Sequence, residues 1–427
     1  MKAKCLFLAM SLMLILASCD NGTTSGDNVP GSTLAEKLEW LQTNAETGGS
    51  YVVEVSADEV IAPNQRLEYS NRNNITITLK GSGGNRIISI ANNGSMFLVR
   101  TGVTLILDNI TLSGRRFNTN PLVHVRSGAA LRMNNGATIT GNTAGNTATG
   151  SGGGVLVEGT FTMNGGTISG NAATNDGGGV NVSGGTFTMN GGTISGNTAN
   201  NDGGGVNVLG RGTFIMSGGT ISGNEAKNGG GGASVQFGNF TMNGGTISGN
   251  NSEKDGGGVY AANARNSTGT VLGIGTFTMS GGTISGNTAR ENGGGVSVAN
   301  EGTFIMNRGN ISGNIGVRGG GVSVTASTAF TMSDGIISGN TARIGGGGVF
   351  VWGAFTKTGG TITGYDSDRR GNVVSNSPGT VEIESGYTVF ATNSTSRITK
   401  RKETTAGPGV NLSYTGRTGL YSGEWDF

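Results

Sequence analysis

The sequence predicts an all-β protein that folds as a right-handed parallel β-helix (β-solenoid), with three short strands in each coil of about 26 residues. Three observations predict this fold: a phrase that recurs along the chain, alternation of apolar and polar residues within each copy, and 84 glycines among 427 residues. Glycine doublets and triplets with only 5 prolines exclude collagen, which needs glycine at every third position. An apolar content of 34% with a formal net charge of +2 excludes a disordered chain.

The recurring phrase is TFTMNGGTISGN at residues 160–171, followed by a variable stretch and by GGGVNV at residues 177–182. Its copies follow one another at 25 to 29 residues, apart from one step of 37. A fixed period of this length indicates a solenoid, and it is longer than the coils of hexapeptide-repeat solenoids, which favours the right-handed form. The isoleucine of the phrase recurs at Ile139, Ile168, Ile194, Ile221, Ile247, Ile284, Ile311, Ile337 and Ile362.

Each copy contains three runs of alternating apolar and polar residues: Phe-x-Met, Thr-Ile-Ser and Val-x-Val. Each run is too short for a helix and is bounded by glycine or by Asn-Gly, so each is predicted to be a strand. Because successive side chains of a strand point to opposite faces, the apolar residues are expected to face inward and the polar ones outward. Two consecutive copies place Phe161, Met163, Ile168, Val180, Val182, Phe187, Met189 and Ile194 inside, with Thr162, Thr167, Ser169 and Asn181 outside.

A single coil of this kind cannot fold alone. Burying five apolar side chains contributes roughly 8–15 kcal/mol, whereas ordering a coil costs about 40 kcal/mol. Stacking identical strands above and below pairs the backbone and buries a continuous core, as in other repeat proteins. We therefore expect Phe to stack on Phe, Met on Met and Ile on Ile.

The asparagine of each Ser-Gly-Asn turn is predicted to form a structural ladder, because asparagine tolerates a left-handed turn and its amide can bond along a stack. After Ile362 the repeat weakens. Tyr365 is expected to take the place of the ladder asparagine, and Lys357 the place of the ladder methionine. The predicted ladder comprises Asn171, Asn197, Asn224, Asn250, Asn287, Asn314 and Asn340.

The regions beside the strict repeats are expected to close the solenoid. Thr33 and Glu36 have the spacing of a capping box, and the helix that they begin carries leucines on one face. Residues 34–130 are predicted to hold this capping helix and irregular first coils. Regular repeats then occupy 131–365, and C-terminal coils with a cap occupy 366–427.

The first 18 residues are predicted to be an export signal. Lys2 and Lys4 give a positive start, and residues 6–16 form an apolar stretch too short to span a bilayer. We therefore expect this segment to be removed from the mature protein.

The sequence LASC at residues 16–19 resembles the lipobox of bacterial lipoproteins. The resemblance implies that Cys19 is alkylated with diacylglycerol and becomes the first residue after cleavage. Residues 19–33 are rich in Gly, Ser, Thr and Asn and are expected to form a flexible tether. The other cysteine, Cys5, lies in the segment that is removed, so no disulfide is expected.

The sequences FTMN at 161–164 and GGTI at 165–168 resemble the FxxN and GGAI repeats of the chlamydial polymorphic membrane proteins, surface adhesins with β-helical passenger domains. The resemblance covers about residues 130–365, and this chain has Thr where that family has Ala. The expected fold also resembles the pectin-lyase-like superfamily, which contains both enzymes and adhesins, so the fold alone does not decide function.

Two features are candidates for recognition. The 37-residue step inserts a loop around residues 261–272, and loops on regular scaffolds often carry binding sites. Tyr260, Phe350 and Trp352 occupy outward positions at the Val-x-Val strands, where aromatic rings can stack on sugars or contact a protein.

The remaining polar residues are interpreted as structural rather than functional. Asp176, Asp202 and Asp255 precede glycine triplets and are interpreted as turn residues rather than calcium ligands or catalytic acids. The single histidine, His124, is expected to face outward without a partner. We expect no cofactor, no metal site and no catalytic residue.

These observations predict a lipid-anchored protein of the bacterial envelope, at the outer membrane or cell surface, that acts as an adhesin or scaffold without catalysis. Its expected partners are the membrane, through the lipid, and a host protein or glycan. The near-neutral net charge does not indicate a nucleic-acid partner. The alternative is a carbohydrate-active enzyme, a polysaccharide lyase or hydrolase, which requires a localised acidic groove.

Overall fold

The computed structural model describes residues 26–145, 151–265, 268–363, 372–374, 389–391 and 425–426. In these residues the chain winds into a parallel β-solenoid in which each coil pairs with the coils before and after it. The predicted all-β fold with coils of about 26 residues is therefore confirmed.

One α-helix, Leu34–Asn44, covers the first coil. The backbone N–H of Glu36 donates to Oγ1 of Thr33 at 3.2 Å, and the Thr33 N–H donates back to the Glu36 carboxylate at 3.3 Å. This is the predicted capping box. Leu34, Leu38 and Leu41 are buried against the first strands, so the helix closes the apolar end of the solenoid.

The segment before the helix corrects the predicted tether. Residues Asp27–Asn28 form a parallel strand beside Ser50–Val55, and the N–H of Val29 donates to the carbonyl of Val52 at 3.0 Å. Val29 is buried in the main core, and burial of its side chain stabilises the contact of this short segment with the first coil. The expected tether up to residue 33 is thus too long, while Cys19 and the export signal lie outside the described residues.

Each regular coil contains four strands rather than three. Three correspond to the predicted runs, and we name them the Phe, Ile and Val strands after their inward residues; the fourth is a short Ala strand between the Ile and Val strands. The Phe strands are Ser50–Val55, Ile75–Gly81, Val103–Asp108, Ala130–Met133, Thr160–Met163, Thr186–Met189, Gly212–Met216, Gly238–Met242, Val271–Ser285, Thr303–Ser312, Ala329–Met332 and Ala354–Lys357.

The strands Val271–Ser285 and Thr303–Ser312 continue through the Ile position of their coils. The other Ile strands are Glu59–Ile61, Arg86–Ile90, Ile110–Ser113, Thr138–Thr140, Thr167–Ser169, Thr193–Ser195, Thr220–Ser222, Thr246–Ser248, Ile336–Ser338 and Thr361–Ile362. The Ala strands are Thr143–Ala144, Ala172–Ala173, Thr198–Ala199, Glu225–Ala226, Asn251–Ser252, Thr288–Ala289, Ile315–Arg318, Thr341–Gly345 and Val373–Val374.

The Val strands complete each coil, and one further strand, Trp425–Asp426, pairs antiparallel with Thr361–Ile362. The Val strands are Gln65–Leu67, Phe97–Val99, Val123–Val125, Val155–Val157, Val180–Ser183, Val206–Leu209, Ala233–Gln236, Val259–Arg265, Val296–Val298, Val322–Val324, Val349–Val351 and Val389–Ala391.

The register stacks identical residues, as predicted. Phe161 pairs with Phe187 and Met163 with Met189, while Ile168 pairs with Ile194. From Phe161 to Phe355 the phenylalanine rings form one stack, with neighbouring centroids 4.5 to 4.9 Å apart. The core is thus continuous along the solenoid, and it includes the irregular early coils.

At the end of the methionine column, Lys357 pairs with Met332, as predicted. Its side chain is buried, and Nζ donates to the carbonyl of Gly360 at 2.5 Å. A buried ammonium requires such acceptors, because its desolvation is otherwise costly.

The predicted asparagine ladder is present and longer than expected. Each Nδ2 donates to Oδ1 of the asparagine in the next coil, as from Asn171 to Asn197 at 3.1 Å. Oδ1 also accepts from the backbone N–H of the preceding asparagine. Asn118 and Asn142 extend the ladder at its start. At its end Asn340 donates to Asn372, so the expected replacement by Tyr365 is wrong: an asparagine resumes the column after an insertion.

Candidate functional site

The outer face of the Val strands differs from the other outer faces because it is partly covered. Asn181, predicted to lie outside, points away from the apolar core and yet is buried, as are Asn207 and Ser234 in the next two coils. A glycine triplet precedes each Val strand from Val155–Val157 to Val349–Val351 and permits this cover. Gly203 has φ +68°, and a Cβ there would lie 2.7 Å from Cβ of Asn207.

The aspartates before the glycine triplets lie between the Ala and Val strands of their coils, beside this covered face, and Asp255 forms a β-bridge with Gly229. The N–H of Asp202 donates to Oδ1 of Asp176 at 3.2 Å, and Nε2 of Gln236 donates to Oδ2 of Asp202 at 2.8 Å. Burial raises the pKa of Asp202 to about 7, and the charge of Asp176 contributes. Burial also raises the pKa of Asp176 and of Asp255.

Two of the three aromatic candidates are buried. Tyr260 is 9% exposed and packs with Ala262 and Ala299 in a small cluster outside the main core. Its ring fills the space beside Gly229, where a Cβ would lie 2.5 Å from the ring. Phe350 is 4% exposed, so neither ring offers a face for stacking on a ligand.

Trp352 is the aromatic candidate that solvent reaches, with 44% of its surface exposed. It contacts Phe350 edge to face at a centroid distance of 5.5 Å, and the Arg318 guanidinium lies over its ring at 5.5 Å. These contacts hold the ring in place on the outer surface.

The long step forms a β-ribbon rather than a loop alone. Asn263 pairs with Ile274 and Ala264 with Gly273, antiparallel, so the chain leaves the Val strand and returns directly into the next Phe strand. Gly273 packs against the ring of Phe237, while Leu272 and Ile274 are about half exposed. The expected insertion is therefore present, with regular backbone pairing at its base.

Four charged side chains stack at the ends of the early Val strands, in a place that the sequence did not indicate. Glu68, Arg100, Arg126 and Glu158 each follow directly on the last residue of a Val strand, and the register stacks these strands in four consecutive coils. We call these four residues the ionic column. Their charges run negative, positive, positive, negative.

The ion pairs occupy the two ends of the ionic column. Nη1 of Arg126 lies 3.1 Å from Oε2 of Glu158, and Nε of Arg100 lies 3.8 Å from Oε2 of Glu68. The two arginines are neighbours across the coil boundary, in line with the register of Val99 on Val125.

His124 lies beneath this column, close to the Glu158 carboxylate but without a hydrogen bond at Nε2. Its Nε2 lies 3.4 Å from Oε2 of Glu158, and the residue is 9% exposed. Burial lowers the pKa of His124, the charge of Arg126 lowers it further, and Glu158 opposes both. The imidazole is therefore neutral at pH 7.

A pocket of about 450 Å³ opens beside the ionic column. All four members of the column line it, together with Tyr69, whose hydroxyl is buried. Burial raises the pKa of Tyr69, so the phenol keeps its proton. The Tyr69 hydroxyl, the Nε–H groups of Arg100 and Arg126, and Nε2 of His124 are buried, and within the described residues they have no hydrogen-bond partner.

A metal centre is not formed by the side chains that the structure describes, since no three of their His, Cys, Asp or Glu groups converge. In the same part of the chain, no helix has the length and apolar character needed to cross a membrane. The predicted site residue Cys19 lies outside it.

Comparisons with known proteins identified no relative of this chain. No protein-family model matches the sequence, no curated protein matches it, and no solved structure matches the fold.

Proposed function

We propose that this protein is a lipid-anchored, non-enzymatic rod of the bacterial cell envelope that acts as an adhesin or surface scaffold. The observation that carries the proposal is the continuous stacking of the core. Twelve Phe strands follow one another in register, which gives a rod of about 53 Å at ~4.8 Å per coil. Such a body suits holding a surface at a distance from a membrane.

The chemistry of the repeated residues supports a structural role for the repeats. The Phe, Met and Ile of each coil are buried against their own copies, and the ladder asparagines bond to one another. Their hydrogen-bonding and packing capacity is used within the rod. Recognition therefore falls to residues that break the repeat, such as the ionic column and Trp352.

The resemblance to the chlamydial polymorphic membrane proteins supports adhesion, with a host protein or glycan as the partner. A purified-protein screen against matrix proteins and glycans tests this step. Saturable binding to one member supports an adhesin, and uniformly negative results favour a scaffold without an external ligand.

The proposed anchor is Cys19, on the strength of the sequence LASC at residues 16–19. Mass spectrometry of the mature N-terminus tests it, with Cys19→Ala as the matched control. We expect the mature chain to begin at Cys19 and to carry diacylglycerol, and the variant to carry none. A mature chain that begins elsewhere without lipid contradicts the anchor.

One observation favours the enzymatic alternative, a polysaccharide lyase or hydrolase. Glu158 contacts both His124 and Arg126 beside the pocket, and carboxylates paired with basic groups carry acid–base chemistry in many enzymes. An assay for reducing ends and unsaturated products from a polysaccharide panel separates the two functions. Turnover that disappears in Glu158→Gln supports the enzyme, and equal absence of turnover in both proteins supports the rod.

A further inference from the structure

The ionic column has an unusual order of charges. Glutamates occupy its two ends, so each arginine has its acidic neighbour on one side and the other arginine on the opposite side. Like charges on directly adjacent strands destabilise a sheet. An anion between Arg100 and Arg126 would relieve this repulsion, and the pocket opens at that place.

The two arginines have unused donor capacity. Arg126 directs Nη1 at Glu158, and the buried Nε of Arg100 faces Glu68, which leaves further Nη–H groups on side chains that are 41% and 30% exposed, respectively. A guanidinium presents its N–H groups in a planar fork that matches a carboxylate. The two side chains therefore offer a carboxylate Nη–H donors from two adjacent coils.

The remainder of the pocket is polar in a way that suits a polyhydroxylated ligand. Ser70, Thr101 and Ser127 add exposed hydroxyl groups to its wall, and Glu68 and Glu158 add acceptors. The volume of about 450 Å³ is in the range of small-molecule pockets. Hydroxyl and carboxylate groups together match the alternating donors and acceptors of a sugar ring.

We propose that this pocket binds one acidic sugar unit, with its carboxylate between Arg100 and Arg126 and its hydroxyls on the surrounding serine, threonine and glutamate side chains. The flanking glutamates repel further negative charge, so a singly charged unit binds better than a densely charged polyanion. This inference deepens the proposed adhesive function, because it names a ligand class and a place on the rod.

Calorimetric titration of the purified full-length protein with D-glucuronate and with N-acetylneuraminate tests the proposal, with glucose and acetate as single-feature probes. We expect at least one acidic sugar to bind at least tenfold more tightly than either probe, and binding to weaken with added salt. Glucose binding equal to that of both acidic sugars overturns the role of the arginines. If acetate binds as tightly as both acidic sugars, the sugar hydroxyls have no role in binding. If neither acidic sugar binds, the proposed binding site is wrong.

Variants localise the site. Arg100→Gln and Arg126→Lys should each weaken binding at least tenfold, the second because an ammonium lacks the planar fork. The matched control is Arg308→Gln, an exposed arginine paired with Asp334 far along the chain, which should bind as the unaltered protein does. Circular dichroism confirms that each variant is folded. Unchanged binding in both pocket variants contradicts the proposal. The binding assay does not depend on the lipid, so its failure would not count against the lipid anchor at Cys19, which mass spectrometry tests separately.

Discussion

The side-chain amide of Asn197 donates to Oδ1 of Asn224 at 2.9 Å, and both residues are buried. The same Nδ2 also donates to the carbonyl of Ile168 in the preceding coil. Each ladder asparagine thus ties three consecutive coils together. A line of amides runs through the interior with its hydrogen bonds satisfied, which the burial of polar groups requires.

Removing one member of the ladder should destabilise the rod strongly. Asn224→Ala removes two donated bonds and leaves the backbone N–H and the amide of Asn197 without their acceptor. Each buried group left unpaired costs about 1–3 kcal/mol, so we expect a loss of roughly 3 kcal/mol or more in urea unfolding. Asn190→Ala is the control, since Asn190 makes a similar amide contact with Asn164 on the exposed surface. Equal effects of the two substitutions would show that burial of the ladder is unimportant.

The phenylalanine stack should be the second large contribution to stability. Phe214 lies between Phe187 and Phe240, with centroid distances of 4.8 and 4.5 Å. Phe214→Ala opens a cavity in the middle of the core, and we expect a loss of about 3–5 kcal/mol. Phe117→Ala changes a side chain that is 79% exposed and should cost well under 1 kcal/mol. Thermal unfolding of both variants checks this, and a mild effect at Phe214 would refute tight packing of the stack.

Asp202 should make stability depend on pH. Its pKa is about 7 in the folded protein and about 3.9 in an unfolded chain. Between these values the unfolded chain releases a proton that the folded chain keeps, so stability falls as pH rises and then levels off above about 7.

Asp202→Asn keeps an acceptor for Gln236 and removes this titration. It should stabilise the protein by about 2 kcal/mol at pH 8, which is less than the full pKa shift would give because Asp202 is only partly buried. At pH 4 the effect should be much smaller. Urea unfolding at both pH values measures the difference, and Asp334→Asn, on an exposed aspartate, is the control. A gain that is independent of pH would argue against a raised pKa.

The titration of His124 should change stability with pH in the opposite direction to that of Asp202. Burial holds its folded pKa below the unfolded value of about 6.5. As pH falls below 6.5 the unfolded chain takes up a proton that the folded chain resists, so this contribution to stability is lost. The neighbouring coils carry Leu98 and Leu156 at the same register, so His124→Leu has a matching environment. The variant should gain more stability relative to the unaltered protein at pH 5 than at pH 8, and the reverse order would contradict the direction of the pKa shift.

The core could be predicted from the sequence because its columns repeat the same residue at a nearly fixed period. Phe161, Met163 and Ile168 recur with their neighbours intact, so alternation and period alone place them inside. The Ala strands were missed, since seven of the nine that the structure describes have only two residues, and a strand of that length shows no alternation.

The ionic column could not be predicted with the same ease. Its members are separated by 32, 26 and 32 residues, so no single period connects them, and their contacts depend on the register of irregular coils. A signal was nevertheless present, because each member directly follows a run of the form apolar-x-apolar or Gln-Arg-Leu. The burial of Tyr260 was missed for another reason. Its outward direction was predicted, but its cover depends on Ala262 in the same strand and on Ala299 in the following coil.

The most direct test of the central claim is protease treatment of intact cells that express the unaltered protein or Cys19→Ala, followed by immunoblotting of the cell and medium fractions. We predict that protease removes the unaltered protein from the cell fraction while an internal marker survives, and that the variant is not displayed at the surface. Protection of the unaltered protein, or equal surface display of both proteins, would contradict a lipid-anchored surface rod.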